Sequence, residues 1–161
     1  MISTTNKKDD SAISGLLGNL TRPRQSEKVI PNALEKGVFT IEAGSYVCAK
    51  VNSVPDSGEH FMVSKDNTEI TVVTREENVK YLDLLEIGKE RYGIILPASA
   101  SSSRTSDFLA AISSALSGAG LDFLILSTYS KDYLLVKVSL LGQARQALLS
   151  LGMTEMPSRK G

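Results

Sequence analysis

Side chains able to do chemistry are sparse in this sequence and gather in one segment, Ser127-Thr128-Tyr129-Ser130-Lys131-Asp132, where hydroxyls, a phenol, an ammonium and a carboxylate follow one another. Such groups hydrogen-bond and pair charges, whereas acid–base or nucleophilic catalysis needs positioned partners. The chain has one histidine, His60, and one cysteine, Cys48, and no motif joins them. Cys48 falls inside an expected strand and reads as a buried, inert thiol. There is no paired-carboxylate motif, no phosphate-binding glycine loop, no dinucleotide fingerprint and no metal-ligand spacing. By elimination these are binding residues: the expectation is a protein that is not an enzyme, with no catalytic residues, no metal and no cofactor.

The elements that must position these residues begin with the segment's own flanks. Gly120–Val138 reads as a β-hairpin: Leu121, Phe123 and Ile125 share one face of its first strand, Leu124 and Leu126 the other, so neither face can be left to water. Ahead of it, Asp107–Ser117 reads as a helix with Leu109, Ile112, Ala115 and Leu116 on one face, Thr105 or Ser106 as its cap and Gly118 and Gly120 as its stop. Arg91–Leu96 reads as a strand closed by Pro97, feeding a serine-rich loop, Ala98–Ser106. After the hairpin, Ser139 is positioned to cap a second helix with Leu140, Ala144, Ala147, Leu148 and Leu151 on its apolar face, and Met153–Met156 can add a short strand. The second half thus reads strand, helix, strand, strand, helix, the ferredoxin-like order without a long final strand.

The first half is strand-rich. Val38–Glu42, Ser45–Val51, Phe61–Lys65 and Glu69–Thr74 read as strands, with a loop over Asn52–His60 and a tight turn at Asp66-Asn67-Thr68. Glu76–Leu85 reads as a short helix stopped by Gly88. Residues 1–36 read as a flexible tail whose Ile13, Leu16, Leu17 and Leu20 have helical spacing, suited to docking on something. With 161 residues, 42% hydrophobic, the chain can bury a substantial core. Its 18 basic residues balance 18 acidic ones, so no net field draws it to nucleic acid or to an acidic membrane. The amino-terminal residues lack the apolar core of a signal peptide, and one cysteine gives no disulfide framework, so the expected location is cytoplasmic.

The run Gly-Leu-Asp-Phe-Leu-Ile-Leu-Ser-Thr-Tyr-Ser-Lys-Asp-Tyr-Leu-Leu-Val, residues 120–136, resembles the signature of a subgroup of ACT domains that includes small bacterial proteins and the cytosolic arginine sensors of animals. Its pattern is a small residue, an aliphatic strand, Ser-Thr, an aromatic, two variable positions, then Asp, an aromatic and an aliphatic run. Glu69–Thr74 resembles the subgroup's preceding strand, and the likeness covers roughly residues 44–153. It implies an α+β fold of tandem ferredoxin-like (ACT) repeats, an antiparallel sheet with helices on one face, and a reduced first repeat. The corresponding division is 1–36 tail, 37–90 first repeat, 91–156 second repeat and 157–161 tail.

The resemblance further implies a regulatory protein that binds a small molecule, an amino acid, at an interface between repeats or subunits. It carries over Asp122, Phe123 and Asp132 as ligand contacts, with Thr128 and Tyr129 beside them. Ser99 and Thr105 join them on the loop that leads into a helix amino terminus, whose free N–H groups suit a carboxylate. A homodimer is expected, with room for a protein partner. Each site residue also has a plainer reading. Asp132 and Ser127 can close the hairpin, Asp122 can be an exposed strand-start acid, and the serine-rich loop, longer than the subgroup's Gly-Pro-Leu-Asp-Phe-like lead, can be a linker. The alternative is a structural or partner-binding module with a degenerate pocket.

Overall fold

The computed structural model describes residues 37–99 and 105–158. The expected tail over residues 1–36, residues 100–104 of the expected serine-rich loop and residues 159–161 lie outside the described residues. Within them, nine strands form one curled sheet.

The second half builds the ferredoxin-like unit in the expected order. β6 (Tyr92–Ser99) leads to helix α1 (Thr105–Gly118), the hairpin of β7 (Phe123–Ser127) and β8 (Asp132–Lys137), helix α2 (Leu141–Ser150) and the short β9 (Thr154–Met156). β8 lies between β6 and β7. On β8 the period of two sorts the apolar residues: Leu134 and Val136 join the helix-side core, and Leu135 points to the other face; all three are fully buried. The helix-side core adds Ile95 to Phe108, Ala111, Ile112 and Leu116 of α1 and to Ala144 and Leu148 of α2. Burying a leucine or isoleucine this fully contributes about 1.5–3 kcal/mol. Gly120, at φ +73, turns the chain out of α1 as expected of the stop residue.

β1 (Gly37–Ile41) falls in the first repeat by sequence, but its hydrogen bonds lie in the second. It runs antiparallel to β6 and parallel to β9, separating two strands that would otherwise pair. The remaining first-half strands, β2 (Tyr46–Val51), β3 (His60–Lys65), β4 (Ile70–Arg75) and β5 (Leu84–Ile87), lie in the order β3-β4-β2-β5. β2 meets β6 at Tyr46 opposite Tyr92. The sheet then curls so that Tyr46 and Val73 pack on Ile94 and Leu135. The first repeat thus covers the face of β6 and β8 that the helices leave bare. Edge-on rings of Tyr46, Phe61 and Tyr133, with centroids 5.6 and 4.9 Å apart along the row, extend that contact.

Four local expectations are corrected. β7 is not sealed on both faces: among the described residues it bonds only to β8, at the sheet edge, and Leu124 and Ile125 are exposed. Glu76–Leu85 is not one helix: Glu76–Tyr81 forms a 3-10 turn and the chain then extends as β5. The free edge of β2 wins over helical spacing, pairing Ala49 with Ile87 and Val51 with Leu84, while Asn52 N–H donates to Asp83 O at 2.9 Å. β6 does not close at Pro97 but continues to Ser99. Ser139 does not cap α2; it lies inside a 3-10 turn, Val138–Leu140, and Leu140 stands at the cap position without a side-chain bond. No helix follows β2, and the first repeat is a reduced one.

Gly93 lets Leu141 of α2 lie close on the sheet: a Cβ added there would stand 2.9 Å from Leu141 Cγ and closer still to both its methyls. Gly93→Ala is expected to destabilise the protein by about 1–3 kcal/mol in urea unfolding. Leu141→Ala added to it should return part of that loss, a non-additivity that marks the two as touching. Amides of Ile94, Ile95, Leu134 and Leu135 are expected to exchange as slowly as global unfolding allows, and those of β5 far faster.

Candidate functional site

The candidate site follows from the backbone of β6. Glu42 N–H donates to Ile94 O at 2.8 Å, which makes residues 94, 96 and 98 the ones that bond toward β1; residues 93, 95 and 97 face β8. The β6–β8 register, Ile95 opposite Leu134, would next set Pro97 opposite Asp132. Proline has no N–H to donate, and the pairing ends at Ile95. Beyond that point β6 stays with β1, through Gly37 opposite Ser99, while β8 turns back into β7.

The gap is a cleft of about 460 Å³. Leu96, Pro97, Ala98 and Ser99 form one wall, the turn Thr128–Asp132 the other, and Phe108 and Leu109 of α1 the floor. Its lining is therefore half apolar and half polar, with an ammonium and a carboxylate adjacent on one rim. The turn is rigidly built: Thr128 N–H donates to Lys131 O at 2.8 Å, and Lys131 N–H donates to Thr128 Oγ1 at 3.2 Å. Ser127 Oγ donates to Asp132 Oδ1 at 2.5 Å, closing the hairpin. Tyr129 at the tip is fully exposed.

Of the residues expected at a site, the cleft brings together Ser99, Thr128, Tyr129 and Asp132. The side chain of Thr105, the first residue of α1, lies outside what the structure describes. Asp122 and Phe123 stand elsewhere: Phe123 pairs with Val136 and Ser127 with Asp132, so five residue steps along the strand, about 17 Å, separate Asp122 from Asp132. Asp122 instead lies near the Lys137 ammonium, whose proton affinity is raised mainly by its bond to Glu90 and, less, by Asp122. Phe123 packs against the helix-side core. Leu96, Pro97, Phe108 and Leu109 were not anticipated; Pro97, in line with a strand whose neighbours continue extended, was the available signal.

The first repeat repeats the turn without repeating the site. Asp66 N–H donates to Glu69 O at 3.0 Å, as Thr128 does to Lys131, and Asp66 Oδ1 accepts Glu69 N–H at 2.8 Å, as Thr128 Oγ1 accepts Lys131 N–H. The backbone N–H groups of Thr68 and Glu69, both donating to Oδ1, hold the exposed Asp66 carboxyl below its ordinary range. By register the counterpart of Asp132 is Ile70, which is buried. The first turn is thus saturated by its own bonds and offers no carboxylate at that position.

His60 and Cys48 do not form a reactive pair. Both ring nitrogens of His60 are engaged, Nδ1 with Thr74 Oγ1 at 2.9 Å and Nε2 with Ser57 O at 3.0 Å. Cys48 lies across β2 and β4 from it, opposite Val73, and burial pushes its thiol up, away from the nucleophilic thiolate. Among the described residues no cluster of three or more His, Cys, Asp or Glu is placed to hold a metal ion, and no helix is long and apolar enough to cross a membrane.

No protein-family model matches the sequence, and no curated protein does. Solved structures do resemble the fold. A Vibrio cholerae protein of unknown function, described as a possible transport protein, superposes with a TM-score of 0.68 at 22% identity, over 79% of this chain and 98% of that one. A protein from Agrobacterium tumefaciens gives 0.64 at 17% identity, over 78% and 96%. The aspartate kinase of Clostridium acetobutylicum, described as an allosteric enzyme, gives 0.54 at 11% identity; the likeness spans 70% of this chain and 33% of the kinase. At these identities the likeness speaks for architecture alone, and that architecture is α+β, tandem ferredoxin-like repeats with the first one reduced.

Proposed function

We propose that this chain is a regulatory protein that binds an amino acid in the cleft between β6 and the β7–β8 turn, acting as a sensor and not as an enzyme. The observation that carries the reading is the break in pairing at Pro97, which leaves Asp132 and Lys131 on the rim of a notch whose floor, Phe108 and Leu109, is apolar. A zwitterion needs one partner of each sign, and Asp132 and Lys131 supply them side by side; the first turn of α1 adds backbone N–H groups on the floor. The resemblance of residues 120–136 to the arginine-sensing ACT subgroup favours a cationic side chain on that ligand. Thr128, Tyr129 and Ser99 surround it, and Asp122 and Phe123 lie too far along β7 to share it. Cytoplasmic residence belongs to the same reading.

A homodimer is part of the proposal. β7 bonds only to β8 among the described residues, and Leu124 and Ile125 on it are exposed. A second copy pairing along this edge would bury them by a two-fold contact. Light scattering is expected to give a dimer mass, and Leu124→Lys a monomer.

The ligand is tested by thermal shift across the common amino acids with arginine first, since a compound specific to the native state raises its stability. Asp132→Asn is expected to weaken binding of the responding amino acid by about 1–3 kcal/mol, roughly 5- to 150-fold in Kd, with little change in melting temperature. The short Ser127–Asp132 bond favours a second reading, a structural module whose carboxylate only closes its hairpin. On that reading Asp132→Asn and Ser127→Ala lower the melting temperature alike and no amino acid shifts the parent protein.

A further inference from the structure

The two repeats cover their sheets very differently. In the second, six buried side chains of α1 and α2 pack on the strands, with Leu109, Leu141 and Ala147 partly buried beside them. On the corresponding face of the first repeat, Val51, Ile70 and Val72 are buried, yet Leu82 is the one partly buried apolar side chain packed on them among the described residues. The register places Val63, Leu84 and Ile87 on the same face, opposite Val72, Val51 and Ala49, and these are 37–41% exposed. The result is a sheet face with a sealed centre and an apolar rim, where a full repeat would lay a helix.

We propose that the segment Ile13–Leu20 of this chain docks on that face and stands in for the helix the first repeat lacks. Ile13, Leu16, Leu17 and Leu20 recur at helical spacing, and residues 11–20 carry no charge, as a buried sheet face demands. Gly15 and Gly18 each cost a helix about 1 kcal/mol, a loss that packing on the sheet would offset. The tether is long enough. Residues 21–36 reach about 50 Å when extended, more than the roughly 35 Å across a compact domain of this size, and they join the fold at Gly37.

The test keeps the full chain. Leu16→Asp combined with Leu17→Asp is expected to speed amide exchange in β2 and β4 about tenfold or more and to leave β8 and α1 unchanged. Asn19→Asp, off the apolar stripe of the same spacing, should change none of them. If the paired aspartates unfold the whole protein, cysteine pairs on a Cys48→Ser background decide. L17C with V63C, or L17C with I87C, is expected to oxidise to a bridge within one chain, and L17C with Q146C on α2 to give none. Unchanged exchange in β2 and β4 overturns the assignment, and so does protection there that grows with protein concentration, as a second copy would give. A bridge to α2, or only between chains, overturns it as well.

Discussion

One missing hydrogen atom sets the geometry on which the candidate site depends. Pro97 lies in a strand whose amides alternate between two neighbours, and its nitrogen faces the neighbour that is about to turn away. Because β1 accepts nothing from residue 97, β6 runs on to Ser99 with one edge satisfied. Because β8 receives nothing, the hairpin turn swings free and the helix floor is exposed between them. Any other residue at 97 could extend the ladder to Asp132 and close the notch. The cleft is thus a property of the backbone, and the side chains decorate an opening they do not create.

The comparison of the two turns separates scaffold from site. Both hairpins close four-residue loops with the same main-chain bond, and both use the first residue's side-chain oxygen to hold the fourth residue's N–H. What differs is the residue after the loop. Ile70 completes a buried face, whereas Asp132 faces the gap. Duplicated architecture with one polar position retained explains why a sequence this poor in reactive groups still concentrates them once.

Much of the fold was legible, for reasons that can be named. Leu109, Ile112 and Leu116 keep a clear helical period and Leu134, Leu135 and Val136 fill both faces of a strand, so α1 and the hairpin could hardly be read otherwise. β5 was misread because Leu82, Leu85 and the charges around them fit a helix locally, and the pull of β2's unpaired edge is not written in residues 76–85. The pairing of β1 with β6 and β9 is likewise non-local and leaves no mark on its five residues. For the site, the turn residues were found because polar groups cluster there. Asp122 and Asp132 were joined in one site although an antiparallel hairpin with a single tight turn necessarily puts them at opposite ends.

The insertion of β1 between β6 and β9 bears on how the chain comes together. β1 precedes both of its neighbours along the sequence, β6 by some fifty residues and β9 by more than a hundred. During synthesis at about 5–20 residues per second, Phe39, fully buried in the finished protein, waits several seconds for a partner on either side. Contacts of such sequence separation slow folding. A strand made early and locked in by one made last also clasps the ends of the described fold together, so the second repeat cannot close its sheet until the first has been made and has delivered the strand.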